Sequence, residues 1–381
     1  MEQMAFRKSF IGEETAYIHL NNAGIAPLTI AAQTKVQSLT RTMSERAFHG
    51  LEELLSVLHN GRDILSKFLG AKSHELAFTQ TCAVSISQAA FSLPLKPETK
   101  ILSLDCEYPS NAYPWQKMAV EKKLIYLQHK TNDFDYDLDE FLEKINDEVS
   151  VVVLSWVQFQ NGLVSDLKKV STACKKVGAF LVVDGIQGVG AMPFNFKDSG
   201  IDVFCGGGHK WLGGPLGIGY LLVKEDLIPK LEPIYYGAMS FDGEQDLYDS
   251  KNKLFKDSRR FEPGSPSLLE IAALTESVKL IDSLGLGAIH NYVVEEADYL
   301  QSCLENLDLK VLRNKHADKN LKSSIVSFRF ANEKNLVKCS EILQKKKISF
   351  GHRAGGIRVG IHAFNTRPEL HSFLECVESS L

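Results

Sequence analysis

The chain has 381 residues, of which 24% are charged and 44% hydrophobic, with a formal net charge of −4 at pH 7. This length predicts a large domain plus a smaller one. The small net charge indicates no affinity for nucleic acid or for an anionic membrane, and no stretch reaches the ~18 apolar residues of a membrane span. The seven cysteines form no CxxC pair, and the N-terminus has no apolar signal-peptide core, so we expect a cytoplasmic protein without a disulfide framework or zinc site.

The first two thirds of the chain carry an α/β pattern. Residues 28–47 and 50–68 predict two helices, and from about residue 70 to 225 short apolar runs alternate with helix-like segments. The runs are ELAFTQ, KILSLD, LIYLQ, VSVVVLSW, AFLVVD, DVFCGG and GIGYLLV. This alternation predicts a mostly parallel sheet with helices on both faces.

The pattern changes beyond residue 260. A helical run over Leu268–Leu284 leads through a second helix to the short runs VLR, SSIVSFRF, ISFGHR and GIRVGIH, with helices near 333–346 and 367–378. Residues 261–381 are therefore expected to form a small α+β domain. Residues 1–260 are expected to form an N-terminal segment and the large domain.

A carboxylate and a lysine stand at the ends of neighbouring predicted strands. AFLVVD ends at Asp184, and a glycine-rich turn 26 residues later carries His209 and Lys210. Ligands of open α/β sheets lie outside the carboxyl ends of the strands. A lysine can form a Schiff base with an aldehyde cofactor, and a carboxylate keeps a pyridine nitrogen protonated. Singly, Lys210 also fits an ordinary loop lysine and Asp184 a cap, but together they predict a site for pyridoxal 5′-phosphate (PLP).

The glycines of this region support PLP better than a nucleotide. The backbone amides before Lys210 are expected to bind the phosphate of the cofactor, with His209 as a further donor. The sequence GGPLGIG at 213–219 lacks the GK[ST] end of a P-loop, and no strand leads into a GxGxxG fingerprint. A nucleotide cofactor is therefore not indicated.

Several motifs recur in the order of one known family. They are YIHLNNAGIAP, LVVDGIQGVG, DVFCGGGHKWLGGPLGIGYL, RRFEPGSPS and GIRVGIHAFNT. Over residues 17–370 the chain resembles the class V aminotransferases, a group that includes cysteine desulfurases and isopenicillin epimerase-like proteins. The resemblance implies the aspartate aminotransferase-like fold (fold type I) with a sheet of the seven-stranded type. It also implies PLP as cofactor and a homodimer that shares its active sites.

The same resemblance assigns roles around the cofactor ring. Lys210 is expected to be the Schiff-base lysine and catalytic base, and Asp184 the partner of the pyridine nitrogen. Gln187 would donate a hydrogen bond to the ring oxygen, with a polar turn residue as the alternative. Tyr108, in CEYPSNAYPW, falls where the family stacks an aromatic ring on the cofactor, and a half-buried tyrosine before Pro109 is the alternative.

For the phosphate, the resemblance implies the turn at FTQTCAV, His209, and a hydroxyl from the second subunit, which here is Ser265. Cys82 and Ala83 stand where hydroxyl residues are common in the family. We therefore expect their backbone amides, with Thr81 nearby, to carry more of the phosphate binding.

On the substrate side, Arg358 aligns with the arginine that binds the α-carboxylate of the substrate, a task that suits a planar guanidinium. A structural salt bridge is the alternative, and Arg353 is a second candidate for substrate contact. Asn22 belongs to a short segment that is expected to reach over the mouth of the site or to form an ordinary turn. Phe159 replaces an asparagine of many relatives.

Gln158 and Gln160, the neighbours of Phe159, are the two candidates to replace that asparagine. The loop at 351–358, GHRAGGIR, contains no cysteine, so the persulfide chemistry of cysteine desulfurases is not expected. Transamination, elimination and epimerisation of a small amino acid stay open. A non-catalytic binding protein is a further alternative, disfavoured by the intact lysine, aspartate and arginine.

Overall fold

The structure is a computed structural model that describes residues 3–11, 17–242, 251–313 and 318–381. Its α-helices are α1 Gln3–Ile11, α2 Ile30–Arg46, α3 Leu51–Phe68, α4 Cys82–Ser92, α5 Pro109–Lys122, α6 Leu138–Glu143, α7 Leu167–Val177, α8 Phe196–Ser199, α9 Leu268–Leu284, α10 Leu286–Asn306, α11 Glu333–Lys345 and α12 Arg367–Glu378. Its strands are β1 Ile18–His19, β2 Leu76–Thr79, β3 Lys100–Leu104, β4 Ile125–His129, β5 Val149–Ser155, β6 Phe180–Asp184, β7 Val203–Gly207, β8 Gly219–Val223, β9 Phe241–Asp242, β10 Lys253–Leu254, β11 Lys310–Val311, β12 Ile325–Arg329, β13 Ile348–Ser349, β14 Gly351–Arg353 and β15 Gly356–Gly360.

A seven-stranded sheet forms the centre of the molecule. Its strand order is β2-β8-β7-β6-β5-β3-β4, and β8 runs antiparallel to both of its neighbours while the other adjacent pairs are parallel. Each of the seven apolar runs supplies one of these strands, so the predicted α/β fold is confirmed. Because β6 lies between β5 and β7, the residues at the carboxyl ends of these three strands meet at one edge.

Both faces of this sheet are buried, as its apolar strands predict. In β5, Val152 and Leu154 pack into one hydrophobic cluster, while Val151 and Val153 pack into another. This alternation follows from the two-residue period of a strand. Among the described residues, no helix is long and apolar enough to cross a membrane.

The C-terminal part contains a four-stranded antiparallel sheet with the order β11-β12-β15-β14, flanked by α10, α11 and α12. Strand β1 and helix α9 are among the described elements that connect the two parts of the chain. Strand β1 pairs in parallel with β13, and α9 packs against α2 and α3. The division of the chain at residue 260 stays a prediction.

Candidate active site

A cavity of about 300 Å³ opens at the edge where β5, β6 and β7 end. The starts of α4 and α5, residues 23 and 24, and the hairpin of β14 and β15 complete its lining. All but two of the residues that the sequence predicts for the site line this cavity: Thr81, Cys82, Ala83, Tyr108, Asp184, Gln187, His209, Lys210, Arg353 and Arg358. The exceptions are Asn22 and Ser265.

Asp184 is the last residue of β6 and is buried. Its Oδ1 accepts hydrogen bonds from the backbone N–H of Ile186, at 2.9 Å, and from the thiol of Cys82, at 3.4 Å. Burial raises the pKa of Asp184, and the hydrogen bond from Ile186 and the charge of Lys210 oppose that rise. A cationic group at this carboxylate would therefore be strongly favoured, because the carboxylate lacks water to stabilise its charge.

Lys210 follows β7 in the short turn that the sequence predicts. Burial lowers its pKa to about 8, with the Asp184 charge opposing and the Arg358 charge reinforcing that change. An appreciable fraction of its amine is therefore neutral, and nucleophilic, near neutral pH. Burial, followed by the charge of Lys210, lowers the pKa of the adjacent His209 to about 4, so this imidazole is neutral and can donate a hydrogen bond.

The prediction that amides of the glycine turn bind phosphate is wrong for Gly208. Its N–H donates instead to the carbonyl of Ile218, at 3.1 Å. The start of α4 offers the alternative donors. Thr81 caps this helix by accepting a hydrogen bond from Val84, and the two preceding helical N–H groups, at positions 82 and 83, have no acceptor within the helix. Such a terminus favours an anion.

An aromatic pair borders the cavity. Tyr108 caps α5 immediately before a proline, and its ring meets that of Phe159 edge-on with the centroids 5.0 Å apart. The amine of Lys210 lies 5.9 Å from the centroid of the Tyr108 ring. Gln187 is held more firmly than an ordinary turn residue, because it donates to the carbonyl of Ala23 and accepts from the indole N–H of Trp211, both at 3.0 Å.

Arg358 lies on β15 and is only 2% exposed. Its Nη1 donates to the carbonyl of Phe159, at 2.8 Å, and its Nη2 to Oδ1 of Asn21, at 3.2 Å. Its Nε is buried without a hydrogen-bond partner. Burial, with the repulsion of Arg353 added, lowers the pKa of Arg358 to about 10. A buried guanidinium with a free donor is a site for an anion.

Two predicted residues lie outside the cavity. The amide of Asn22 is fully buried and donates to the carbonyl of Gly360 and to Asn365, so its neighbour Asn21 is the asparagine that contacts Arg358. Ser265 is exposed and does not line the cavity of its own chain.

Neither candidate for the missing asparagine reaches the cavity. The Gln158 side chain donates to Glu107 at 2.6 Å, and Gln160 accepts from the backbone N–H of Ala354 at 3.1 Å. The ring of Phe159 itself occupies the cavity wall.

Sequence reasoning missed Ser155 and its buried partner Glu107. Ser155 lines the cavity and is the register partner of Asp184 in β6. Like Asp184, it is a polar residue at the carboxyl end of an apolar strand, and this pattern could have identified it from the sequence. The Glu107 carboxyl accepts from the Ser155 backbone N–H, at 2.8 Å, and from its hydroxyl, at 2.5 Å. Burial raises the pKa of Glu107, and these hydrogen bonds oppose the rise.

The aminotransferase class-V family model matches residues 22–373. The chain belongs to the class V aminotransferases. The uncharacterized aminotransferase YcbU of Bacillus subtilis (strain 168) is 24% identical over 325 residues, which cover 85% of this chain and 84% of YcbU. A probable cysteine desulfurase of Pyrococcus abyssi (strain GE5 / Orsay) is 25% identical over 384 residues, which cover 96% and 94% of the two chains. This class V chain is thus a PLP-dependent enzyme of the transferase or lyase type.

The fold agrees with this membership. The apo structure of a cysteine desulfurase from Thermococcus onnurineus NA1 superposes with a TM-score of 0.90 at 23% identity, covering 100% of this chain and 98% of that one. The residues of the cavity also fit PLP: a lysine of lowered pKa, a buried carboxylate, and a helix start with free N–H groups. These three features match an aldehyde, a pyridine nitrogen and a phosphate.

Proposed function

We propose that the chain is a class V aminotransferase-type enzyme that acts at the α-amino group or Cα of a small amino acid, with PLP attached to Lys210. The observation that carries this proposal is the meeting of Lys210, Asp184 and Arg358 in one cavity. When bound, PLP supplies a sink for the electron pair left at the Cα of the substrate. Arg358 comes from a segment far along the chain from the one that carries Asp184 and Lys210, so its arrival at the same cavity is a property of the fold.

The protein residues then divide the remaining work. Asp184 pairs with the pyridine nitrogen, and the start of α4 and His209 bind the phosphate. Tyr108 covers one face of the ring. Arg358 binds the α-carboxylate of the amino acid through its free Nε, and the amine of Lys210 moves the proton at Cα.

Transamination is the proposed reaction type, and a lyase- or epimerase-like outcome is the alternative, because all three begin with the same proton removal. The names of the cysteine desulfurase relatives favour the lyase alternative. Persulfide relay is disfavoured by the cavity itself. Among the residues that line it, Cys82 is the single cysteine, and burial together with Asp184 raises its pKa well above the ordinary range. A protonated thiol is a poor sulfur acceptor.

The proposal includes a cytoplasmic homodimer in which Ser265 of one subunit contacts the phosphate bound by the other. Two observations support a partner surface near Ser265. Tyr235, Tyr236 and Met239 are about half exposed, and the N–H of Met239 donates to the carbonyl of Pro263, which places Met239 beside the loop of Ser265. A protein that sediments as a monomer at micromolar concentration while binding PLP would contradict this part.

The test is the visible absorption of the protein after incubation with PLP and gel filtration, compared between the natural chain and Lys210→Ala. We expect a cofactor band in the natural chain and none in the variant. Turnover of a panel of amino acids, assayed as keto acid, ammonia and sulfide, should fall by about 10⁴-fold or more in the variant, because a nucleophile and a proton carrier are lost together.

Lys224→Ala is the matched control, since Lys224 is an exposed lysine beyond the next strand, paired with Asp226. It should keep the band and the turnover. The product released by the natural chain identifies the reaction. Retention of the band in Lys210→Ala, or its absence in the natural chain, would refute the assignment of Lys210.

A further inference from the structure

The hairpin of β14 and β15 carries two arginines on one face. In its antiparallel register Arg358 lies opposite Gly351, and Arg353 lies opposite Gly356. Side chains alternate along a strand, so Arg353 shares a face with Gly351, and therefore with Arg358, as a diagonal neighbour. The Arg358 guanidinium lies over Gly351, where an added Cβ would be 3.3 Å from its Nη2. The two guanidiniums thus line the same cavity side by side.

Neither arginine has an acidic partner among the described residues. The hydrogen bond of Arg353 runs from Nη1 to the carbonyl of its neighbour His352, at 2.7 Å. Elsewhere in the chain, Arg62 pairs with Glu262 and Arg367 with Glu296. Adjacent like charges are destabilising unless an anion lies between them. The pair at positions 353 and 358 therefore lacks its counter-ions.

The charges that line the cavity do not balance. Asp184 is the single carboxylate in its described lining, against the cations Lys210, Arg353 and Arg358. If PLP binds as proposed, Asp184 pairs with its ring nitrogen and the N–H groups at the start of α4 bind its phosphate. Arg358 then binds the α-carboxylate of the substrate. One guanidinium, that of Arg353, still has no anion, and it stands at the exposed rim of the cavity where a substrate side chain would extend.

We infer that the substrate is an acidic amino acid, whose side chain ends in a carboxylate or a sulfinate that Arg353 binds. This inference rests on the proposed function, because it takes the α-carboxylate to lie on Arg358. A planar guanidinium binds either anion through two parallel hydrogen bonds, and such a pair discriminates strongly against a neutral amide of the same size.

The first experiment measures binding by calorimetry, without turnover. Succinate and glutarate are titrated into cofactor-free and PLP-loaded protein, and butyrate is the monocarboxylate reference. We expect the dicarboxylates to bind about 10–100-fold more tightly than butyrate, the range of one charge-assisted pair. The ratio of the two affinities should fall to about one in Arg353→Gln and recover in part in Arg353→Lys.

His352→Gln is the matched control, because His352 stands beside Arg353 in β14 but on the opposite face, against Phe350. It should keep the ratio of the natural chain. With PLP-loaded protein, aspartate and glutamate should perturb the visible band at concentrations about 10–100-fold lower than asparagine and glutamine do, and Arg353→Gln should abolish this preference.

Two outcomes overturn the inference: dicarboxylates that bind no better than butyrate, or a ratio that survives Arg353→Gln. If the surviving ratio is accompanied by a loss of PLP affinity in Arg353→Gln, Arg353 is assigned to the phosphate of the cofactor. Failure of the proposed function has a different signature, because a protein that lacks a Lys210-dependent band can still show the dicarboxylate ratio.

Discussion

The two ends of the active-site cavity are built in different ways. At the cofactor end, Asp184 and Lys210 lie at the ends of adjacent strands of the central sheet: Asp184 is buried as the last residue of β6, and Lys210 is partly buried in the turn that follows β7. At the substrate end, Asn21, Phe159 and Arg358 come from three distant segments that meet through single hydrogen bonds. The first end supplies charges that oppose each other, whereas the second holds positive charge alone. The difference indicates that the cofactor end is suited to one fixed ligand. Among the described residues, the substrate end lacks acidic ones, so its positive charge is neutralised when an anionic ligand binds.

The largest expected effect comes from replacing Arg358 at the substrate end with a neutral residue, which tests whether its positive charge binds the substrate. Arg358→Gln should raise the KM for the amino acid by about 10–100-fold, since one charge-assisted pair is lost. It should destabilise the cofactor-free protein less than the loss of a buried, carboxylate-paired arginine does, because Arg358 has no carboxylate partner among the described residues and loses its hydrogen bonds to Phe159 and Asn21 alone. Steady-state kinetics and urea unfolding measure the two effects.

Arg62→Gln should have the opposite effect, a loss of stability without a change in KM. Arg62 binds both oxygens of Glu262, at 2.9 and 2.7 Å, away from the cavity. Its loss should destabilise folding by about 3–5 kcal/mol and leave KM close to that of the natural chain. If Arg358→Gln costs as much stability as Arg62→Gln, Arg358 is a structural arginine and does not bind the substrate.

Sequence reasoning succeeded at the cofactor end because the order of the strands brings their carboxyl ends together. The runs that end at Asp184 and precede Lys210 predict neighbouring strands, and the sheet places β6 beside β7. The substrate end depends on contacts between segments more than 100 residues apart. No local pattern distinguishes Asn21, which contacts Arg358, from Asn22, whose amide is buried against Gly360. The same holds for the glutamines beside Phe159, which turn away to Glu107 and Ala354.

A second prediction disturbs the cofactor end alone. Gly219 lies in β8 beneath the start of α4, and a Cβ there would stand 2.4 Å from the carbonyl carbon of Thr81 and 2.7 Å from the N of Cys82. Gly219→Ala should therefore displace the free N–H groups of α4. We expect weaker PLP binding and a loss of about 1–3 kcal/mol of stability from overpacking.

The measurements are PLP titration followed by the visible band, and thermal unfolding with and without the cofactor. Gly287→Ala is the control, because nothing lies within 4 Å of a Cβ at that position. Dicarboxylate binding at the arginine pair should survive Gly219→Ala. A PLP affinity that does not change despite lower stability would show that the start of α4 does not hold the phosphate.

The smallest expected effect is the influence of the two arginines on the pKa of Lys210. It can be measured from the pH dependence of the rate at which the protein binds PLP. Burial lowers the pKa of Lys210 from 10.5 to about 8, and both arginines add to this change by repulsion. Capture of PLP requires the neutral amine, so its rate should rise about tenfold per pH unit below pH 8 and level off above it. Arg353→Gln removes one repelling charge and should move the midpoint upward by less than about one unit. Butylamine is the reference amine in stopped-flow absorbance.

Stability should follow the same titration with a definite sign. Between pH 8 and about 10.5 the unfolded chain holds a proton on Lys210 that the folded chain has released, so the free energy of unfolding of the cofactor-free protein should rise with pH across this window. Below pH 8 both states are protonated and the contribution is constant. Lys210→Met should remove this rise. A midpoint of PLP capture near that of butylamine would mean that the amine of Lys210 is not desolvated, and the assignment of a lowered pKa to this lysine would fail.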